Sequence, residues 1–414
     1  MPQAARPAIS SYSLAILASL VTAMILLFPE ASFSASLTGL RLWFEVVFPA
    51  LLPFFVMAEI MMGLGVIHFI GVILEPLMRP LFRLPGAGAF AVAIGLAAGY
   101  PLGAKVAADL RRANLCTGPE GERLVSFANT ADPLFLAGAV AIGMFALPEL
   151  AGTLALAHYV GAFGVGFLMR FHARRAPQTE EPRAAAQLLV RALAALRDAR
   201  ERDGRPIGQL FDDAVRNSMN TLLFVGGSII MFSVMLQVLT IAGIVPLASQ
   251  LLAAALAHFN VHPTVADALV RGAVEITIGA KTASEATAPL LDKAVAASAI
   301  VAWSGLSVHA QVAVMLRGTD IRLGPYIAAR FLHAVLAAIA AWFALGPAGA
   351  WLGGGVPGAA LPVLPPVWAV QPLSFGGRLF HATATATQLG LLMLLVAGIG
   401  SVIGRWTAFW TRSR

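Results

Sequence analysis

Two short polar interruptions, Gly99-Tyr100-Pro101-Leu102-Gly103-Ala104-Lys105 and Glu275-Ile276-Thr277-Ile278-Gly279-Ala280-Lys281, stand inside otherwise apolar stretches, with their lysines 176 positions apart. An ionisable side chain at membrane depth costs about 2.5–3.5 kcal/mol on insertion scales, so a matched pair in two halves of a chain marks a functional site. Internal repeats with such a site at their interface are the plan of many secondary transporters. Two further interruptions accompany them: Asn129-Thr130-Ala131-Asp132-Pro133, and Ser304-Gly305-Leu306-Ser307 followed by His309 and Gln311. Backbone that leaves a helix in hydrocarbon must find partners in protein or in a water-filled cavity. Pro101 and Pro133 remove helix donors, and the glycines admit backbone angles closed to other residues. Helix N-termini freed at such breaks attract anions through their N–H groups and partial positive charge. With Lys105 and Lys281 added, the expected chemistry is recognition of a small anion, better suited to carboxylates than to a neutral solute.

The candidate substrate-binding set is Gly99, Tyr100, Pro101, Gly103 and Lys105 at the first tip, with Asn129, Thr130 and Asp132 in the first broken helix. From the second half it takes Glu275, Thr277, Gly279, Lys281 and Thr282 at the tip, and Ser304, Gly305, Ser307, His309 and Gln311 in the broken helix. In this reading the lysines neutralise carboxylates, and Asn129, Thr130, Ser304, Ser307 and Gln311 supply directional hydrogen bonds. A competing assignment pairs each lysine with a protein acid: Asp109 one turn after Lys105, or Glu275, Glu285 or Asp132. Asp132 and Glu275 are also open to protonation or ion binding for coupling, with H+ or Na+ the candidate ions. No cofactor and no metal is expected. His68, His158, His258, His262 and His333 occur singly and read as structural, while Glu45 and Glu59 read as caps or arginine partners. HExxH, CxxC, P-loop and nucleophile-elbow motifs are absent, which argues against an enzyme. The single cysteine, Cys116, excludes an intramolecular disulfide and reads as a small core residue.

The elements that must position these residues follow from composition. Hydrophobic residues make up 58% of the 414 and charged residues only 12%, and the mean hydropathy is +0.81. That is a polytopic membrane protein. The net charge of +7 comes from arginines clustered between apolar runs, the positive-inside pattern rather than a nucleic-acid face. The run from Tyr12 to Phe28 is expected to be a retained anchor, with a signal peptide as the alternative. Apolar stretches follow at Leu42 to Leu64, Val66 to Phe82, Gly88 to Leu110, Leu124 to Leu147 and Leu150 to Phe171. His172 to Gly208 holds eight arginines and five acids, with an amphipathic stretch at Arg183 to Arg200 whose leucines 188, 189, 193 and 196 share a face. The series resumes at Met219 to Ile241, Val245 to Phe259, Val265 to Ile278, Leu290 to Leu316 and Pro325 to Leu345. A Gly/Pro-rich segment, Gly346 to Gly377, precedes a last span at Thr387 to Ile403.

The nearly constant offset between the two series points to duplication. If Gly88 to Arg111 enters the membrane and returns, Arg79, Arg83, Arg111, Arg112 and Arg123 share one face with the arginine-rich linker. The first copy then crosses three times, which inverts the second and brings Arg317 and Arg322 back to the same side, with Arg405, Arg412 and Arg414 following the last span. The expected fold is an all-α polytopic membrane protein of eight crossings, with two inverted repeats, each carrying a re-entrant helical hairpin and a broken transmembrane helix. The expected divisions are an anchor (1–36), a first repeat (37–171), a cytoplasmic linker (172–208), a second repeat (209–345) and an outer loop with a final helix (346–414).

PALLPFF at Pro49 to Phe55, IHFIGVILEPLMRPLFRLPG at Ile67 to Gly86, AAGYPLGAK ending at Lys105 and ERLVSFANTADPLF at Glu122 to Phe135 together resemble the sporulation integral membrane proteins of the YlbJ type, which carry nucleoside-recognition, or Gate, domains. The resemblance covers about residues 37 to 345. AWSGLSVHAQV at Ala302 to Val312 is also similar to the broken substrate-binding helix of concentrative nucleoside transporters. The resemblance implies a spore-forming bacterium and movement of dipicolinic acid, a flat pyridine with two carboxylates, out of the mother cell across the outer forespore membrane by alternating access. The expected partners are this small anion and the lipid bilayer, with no nucleic acid and oligomeric state open. A transporter of nucleosides or other metabolites, and a non-transporting scaffold of spore maturation, are the alternatives.

Overall fold

The computed structural model describes residues 8–180 and 188–346, and among these the regular elements are all helical. The expected Gly/Pro-rich loop and last span fall outside the described residues. The first helix, α1 (Ala8–Leu27), leads into a 35-residue helix, α2 (Pro29–Gly63). Pro29 sits in the first turn of α2, where a missing N–H costs nothing. The expected boundary between 36 and 37 therefore lies inside a continuous helix, because Ser32 to Ser36 contains no residue that stops one. Gly39 of α2 packs against Ser233, and Trp43 donates from its indole to Leu222 O at 2.9 Å, fixing α2 on the long helix of the second half.

After α3 (Val66–Leu77), which continues through a wider π-helical turn to Phe82, the chain makes a helical hairpin of α4 (Gly88–Ala98) and α5 (Leu102–Arg112). It turns at Gly99, whose φ is +69° and whose would-be Cβ lies 2.7 Å from the Asp132 carboxylate; no other residue fits both demands. Helix α6 (Gly118–Ala128) opens with a capping box, Thr117 and Glu120 each bonding the other's backbone N–H. The chain then leaves helical geometry at Asn129 and resumes as α7 (Phe135–Met144), which has the wider π-helical winding. Helix α8 (Leu150–Met169) returns.

The linker contributes α9 (Leu188–Asp203), which packs on α3 through Ala192 and Leu188 against Phe69, Val72 and Ile73. Of the four leucines expected on one face, Leu189 and Leu193 stay exposed. The second half repeats the order of elements: α10 (Ile207–Ile241), α11 (Ile244–Ala257), a hairpin of α12 (Val265–Val274) and α13 (Ile276–Glu285), a broken pair α14 (Leu290–Trp303) and α15 (Gly305–Met315), and α16 (Leu323–Leu345). Among the described residues, five helical stretches are long and apolar enough to cross a membrane. Their outer faces carry exposed large apolar groups such as Phe224, Met231, Phe331 and Trp342, which in water would be a liability and in lipid are solvent-matched.

The core runs along α16, which packs against both α8 and α14. Small residues permit the approach: a Cβ on Gly161 of α8 would stand 2.8 Å from the His333 ring and 3.2 Å from Ala337 N. Both ends of the α4–α5 hairpin lie at one end of the bundle. Arg83 ahead of it gives its carbonyl to Arg123 at 3.0 Å, and Arg111 behind it forks onto Asp320. The second hairpin's mouth closes locally, His262 N donating to Asp292 at 2.9 Å.

Candidate functional site

Four interruptions of the helices meet around one side chain that composition alone hides, Arg330 of α16. It is fully buried. Its guanidinium donates to Asn129 O at 3.0 Å in the first broken helix, to Tyr100 Oη at 2.7 Å at the first hairpin tip, and to Ala302 O just before the second break. Tyr100 in turn donates to Val301 O at 3.0 Å and lies under the guanidinium, 5.4 Å from ring centre to Cζ. One turn back on α16, buried Tyr326 accepts from Asn129 Nδ2 at 2.9 Å. The second tip joins through Gly305: its φ is +74°, and a Cβ there would stand about 3.0 Å from Ile276 N and Val274 O.

The breaks are built by capping. Asp132 Oδ1 accepts the N–H groups of Leu134 at 3.0 Å and Phe135 at 2.8 Å, opening α7. Glu275 is extended and accepts from Ile278 N at 2.8 Å, opening α13. Both acids are buried, and among the described residues neither forms an ion pair; the N–H groups at helix N-termini, not cations, are their partners. At the second break only Ser304 (φ +73°) and Gly305 leave the right-handed region.

Two histidines hold the first break. His158 Nε2 accepts from Ala131 N at 3.1 Å and contacts Thr130 Oγ1 at 2.7 Å; the amide can only donate, so Nδ1 carries the ring proton. His333, one turn after Arg330, donates from Nε2 to His158 O at 2.8 Å, with ring centroids 4.6 Å apart. His309 Nδ1 donates to Gly305 O at 2.7 Å, and its ring lies 5.3 Å from that of Tyr326.

What this centre can do follows from what is left unmade. Arg330 has no carboxylate partner among the described residues. Its Nε, together with Asn129 Oδ1, Ser307 Oγ and His309 Nε2, is buried without a hydrogen-bond partner in the protein. A buried charge is stable only when paired and hydrogen-bonded, and each unsatisfied polar atom costs about 1–3 kcal/mol. Three carbonyl and hydroxyl oxygens solvate the guanidinium but do not neutralise it. The arrangement accepts an anion with hydrogen-bonding capacity beside it.

Of the residues expected from sequence, Tyr100, Asn129, Thr130, Ser304, Gly305, Ser307 and His309 belong to this cluster or touch it, and Gly99 and Asp132 buttress it. Tyr100 and Pro101 are joined by a cis peptide bond. Gly103 and Gly279 serve close packing, against Ala128 O and the Gly272 backbone. Thr277 is buried, Thr282 bonds back to Ile278 O at 2.8 Å, and Gln311 is half-buried. Lys105 is 53% exposed and paired with Asp109 at 3.0 Å; Lys281 is 34% exposed and paired with Glu285, also at 3.0 Å. Such exposed i,i+4 pairs contribute about 0.3–0.5 kcal/mol. Arg330, Tyr326, His158 and Tyr159, which donates to Ala131 O at 3.1 Å, stand outside the expected set. One signal for Arg330 was present: it is the single charge in the 23-residue apolar run from Leu323 to Leu345.

Residues 44–190 match the Gate family, described as nucleoside recognition. Over 321 residues, 77% of this chain and 79% of the relative, the sequence is 45% identical to the sporulation integral membrane protein YlbJ of Bacillus subtilis (strain 168). No solved structure matches the chain. A multi-pass arrangement of apolar helices, a Gate segment over the first half and this degree of identity across most of both sequences lead to one assignment: the chain belongs to the YlbJ family of sporulation integral membrane proteins.

Proposed function

We propose that the protein is an alternating-access carrier for a small anionic metabolite, with dipicolinate as the substrate and export from the mother cell across the outer forespore membrane as its task. The observation that carries the reading is Arg330, buried without a counter-charge where the interrupted helices of both halves converge. Dipicolinate offers carboxylates for the free Nε–H of Arg330 and the Ser307 hydroxyl, and a flat ring suited to a site walled by Tyr100, Tyr326 and His309. In this reading α4–α5 and α12–α13 are re-entrant hairpins entering from opposite faces, and the two halves are inverted repeats. Supporting this, the mouth of the first hairpin joins the arginine-rich end, whereas α14 and α15 run from the mouth of the second hairpin to that same end. Arg330 takes the leading electrostatic role, and Lys105 and Lys281 act secondarily from their ion pairs. The coupling ion is H+ or Na+, with Asp132 and Glu275 as its candidate carriers.

Uptake of labelled dipicolinate by proteoliposomes tests the proposal. Arg330→Met is expected to reduce uptake at least 100-fold, and wild-type rates in that variant would overturn the site. Unchanged uptake after combining Lys105→Ala with Lys281→Ala removes both lysines from the mechanism. The Gate match favours a second reading, a nucleoside carrier; competition by nucleosides but not by dicarboxylates would select it.

A further inference from the structure

The two ends of the bundle are fastened unequally. At the arginine-rich end, three side chains join the first half to the loop between α15 and α16. Arg111 of α5 forks onto Asp320, Nε to Oδ1 at 2.6 Å and an Nη to Oδ2 at 3.1 Å. Arg112 donates to Met315 O and Arg317 O, both at 2.7 Å, closing the C-terminus of α15. Arg322 forks onto Glu122 of α6, at 2.5 and 3.1 Å, and Glu122 also meets His172 Nε2 at 2.6 Å. The seam is packed to contact, since a Cβ on Gly118 would stand 2.8 Å from the Asp320 carboxylate and one on Gly121 2.6 Å from Ile321. At the opposite end the corresponding segments are α13, the start of α14 and residues 145–149. Among the described residues, no side-chain hydrogen bond or ion pair crosses between them; Lys281–Glu285 and His262–Asp292 stay within the second half.

We infer that Arg111–Asp320, Arg112 with the end of α15, and Arg322–Glu122 form a gate latch, and that this structure is the state closed at the arginine-rich end. Resting on the carrier reading, the latch adds the step that reading lacks: passage towards the arginine-rich side requires Arg111 and Arg112 to release the 315–320 stretch and Arg322 to release Glu122, while the opposite end opens without breaking a cross-half ion pair. Bidentate arginine–carboxylate forks suit this role, because their geometry makes the closed state discrete and its release cooperative.

The chain carries its own reporter. Cys116 is the single cysteine; it is buried within the latch, its carbonyl accepting from Arg111 at 3.3 Å, and burial pushes its thiol up to about 12. Maleimide labelling of the full chain in nanodiscs is expected to be slow in the wild type and at least tenfold faster in Asp320→Asn and in Arg322→Gln. The exchange Arg111→Asp with Asp320→Arg is expected to return labelling to within threefold of wild type, which a misfolded variant would not do. Wild-type labelling in both single variants, or fast labelling regardless of the exchange, overturns the latch. Because the readout needs no substrate, loss of the latch with dipicolinate uptake intact refutes this inference alone, and an intact latch without uptake refutes the carrier reading alone.

Discussion

Arg330 concentrates the energetic tension of the molecule in one side chain. Its three acceptors make charge-assisted hydrogen bonds, each contributing about 1.5–3 kcal/mol, and its Nε remains free for a ligand. Arg330→Lys keeps the charge but not the fork, so it is expected to lose at least tenfold in substrate affinity while retaining the fold, as measured by equilibrium binding and thermal unfolding. Asn129→Ala is expected to weaken binding less, by roughly 5-fold, for one lost hydrogen bond of about 1 kcal/mol. At the surface, Asp320 is held below the ordinary carboxylate range by its hydrogen bonds from Arg111. A depressed pKa contributes stability above the unfolded value, about 3.9, that is lost as pH falls through the folded one. Thermal stability attributable to Asp320, read as the difference between wild type and Asp320→Asn, is therefore expected to stay constant from about pH 8 to 5 and to vanish only in stronger acid. A latch that loosened near pH 6 would contradict that assignment.

At the level of elements, glycines inside the helices mark where helices touch, while Gly99 and Gly305 mark where the chain turns. A Cβ on Gly95 or Gly103 would collide with Ala128 O, a backbone atom that cannot step aside. Gly95→Ala and Gly103→Ala are each expected to lower the apparent melting temperature by several degrees through displacement of the first hairpin from α6. Gly227 in α10 has nothing within 4 Å of its would-be Cβ, so Gly227→Ala should be neutral or slightly stabilising, by up to about 1 kcal/mol. Destabilisation there equal to that at Gly95 would show that helix packing is not the cause. The interruptions themselves were legible: Pro101, Asn129 to Pro133, Glu275 and Ser304 each break a helix where turn-forming or capping residues punctuate an apolar run. Their extent was not. Gly103 to Lys105 and Thr277 to Thr282 look like parts of loops because they are polar or small, yet they are helical, since one proline or one N-cap carboxylate suffices to restart a helix.

For the whole molecule, the arginines define an axis. Arg79, Arg83, Arg111, Arg112, Arg123, Arg317 and Arg322, scattered over more than half the chain, converge in one network at one end. A single bound anion at the centre should stabilise such a two-halved body by mass action: at 100 times its dissociation constant, about 2.7 kcal/mol. Saturating dipicolinate is accordingly expected to raise the apparent melting temperature of the purified protein by a few degrees, and to leave Arg330→Met unmoved. A shift of equal size in that variant would locate the binding elsewhere.

Membrane class, the family resemblance, the helix breaks and the arginine-rich face were all determined by the sequence itself, because hydropathy, proline and glycine chemistry and charge distribution act locally and need no partner to be read. The central charge was decided only by tertiary structure. Lys105 and Lys281 share a motif but find their acids one turn along their own helices. Arg330 shares no motif, yet α16 is drawn against α8 and α14 by small residues, and that packing carries a lone arginine to carbonyls 201 and 28 positions away. Long-range packing sets which buried charge lacks a counter-charge, and spacing along the chain does not encode it.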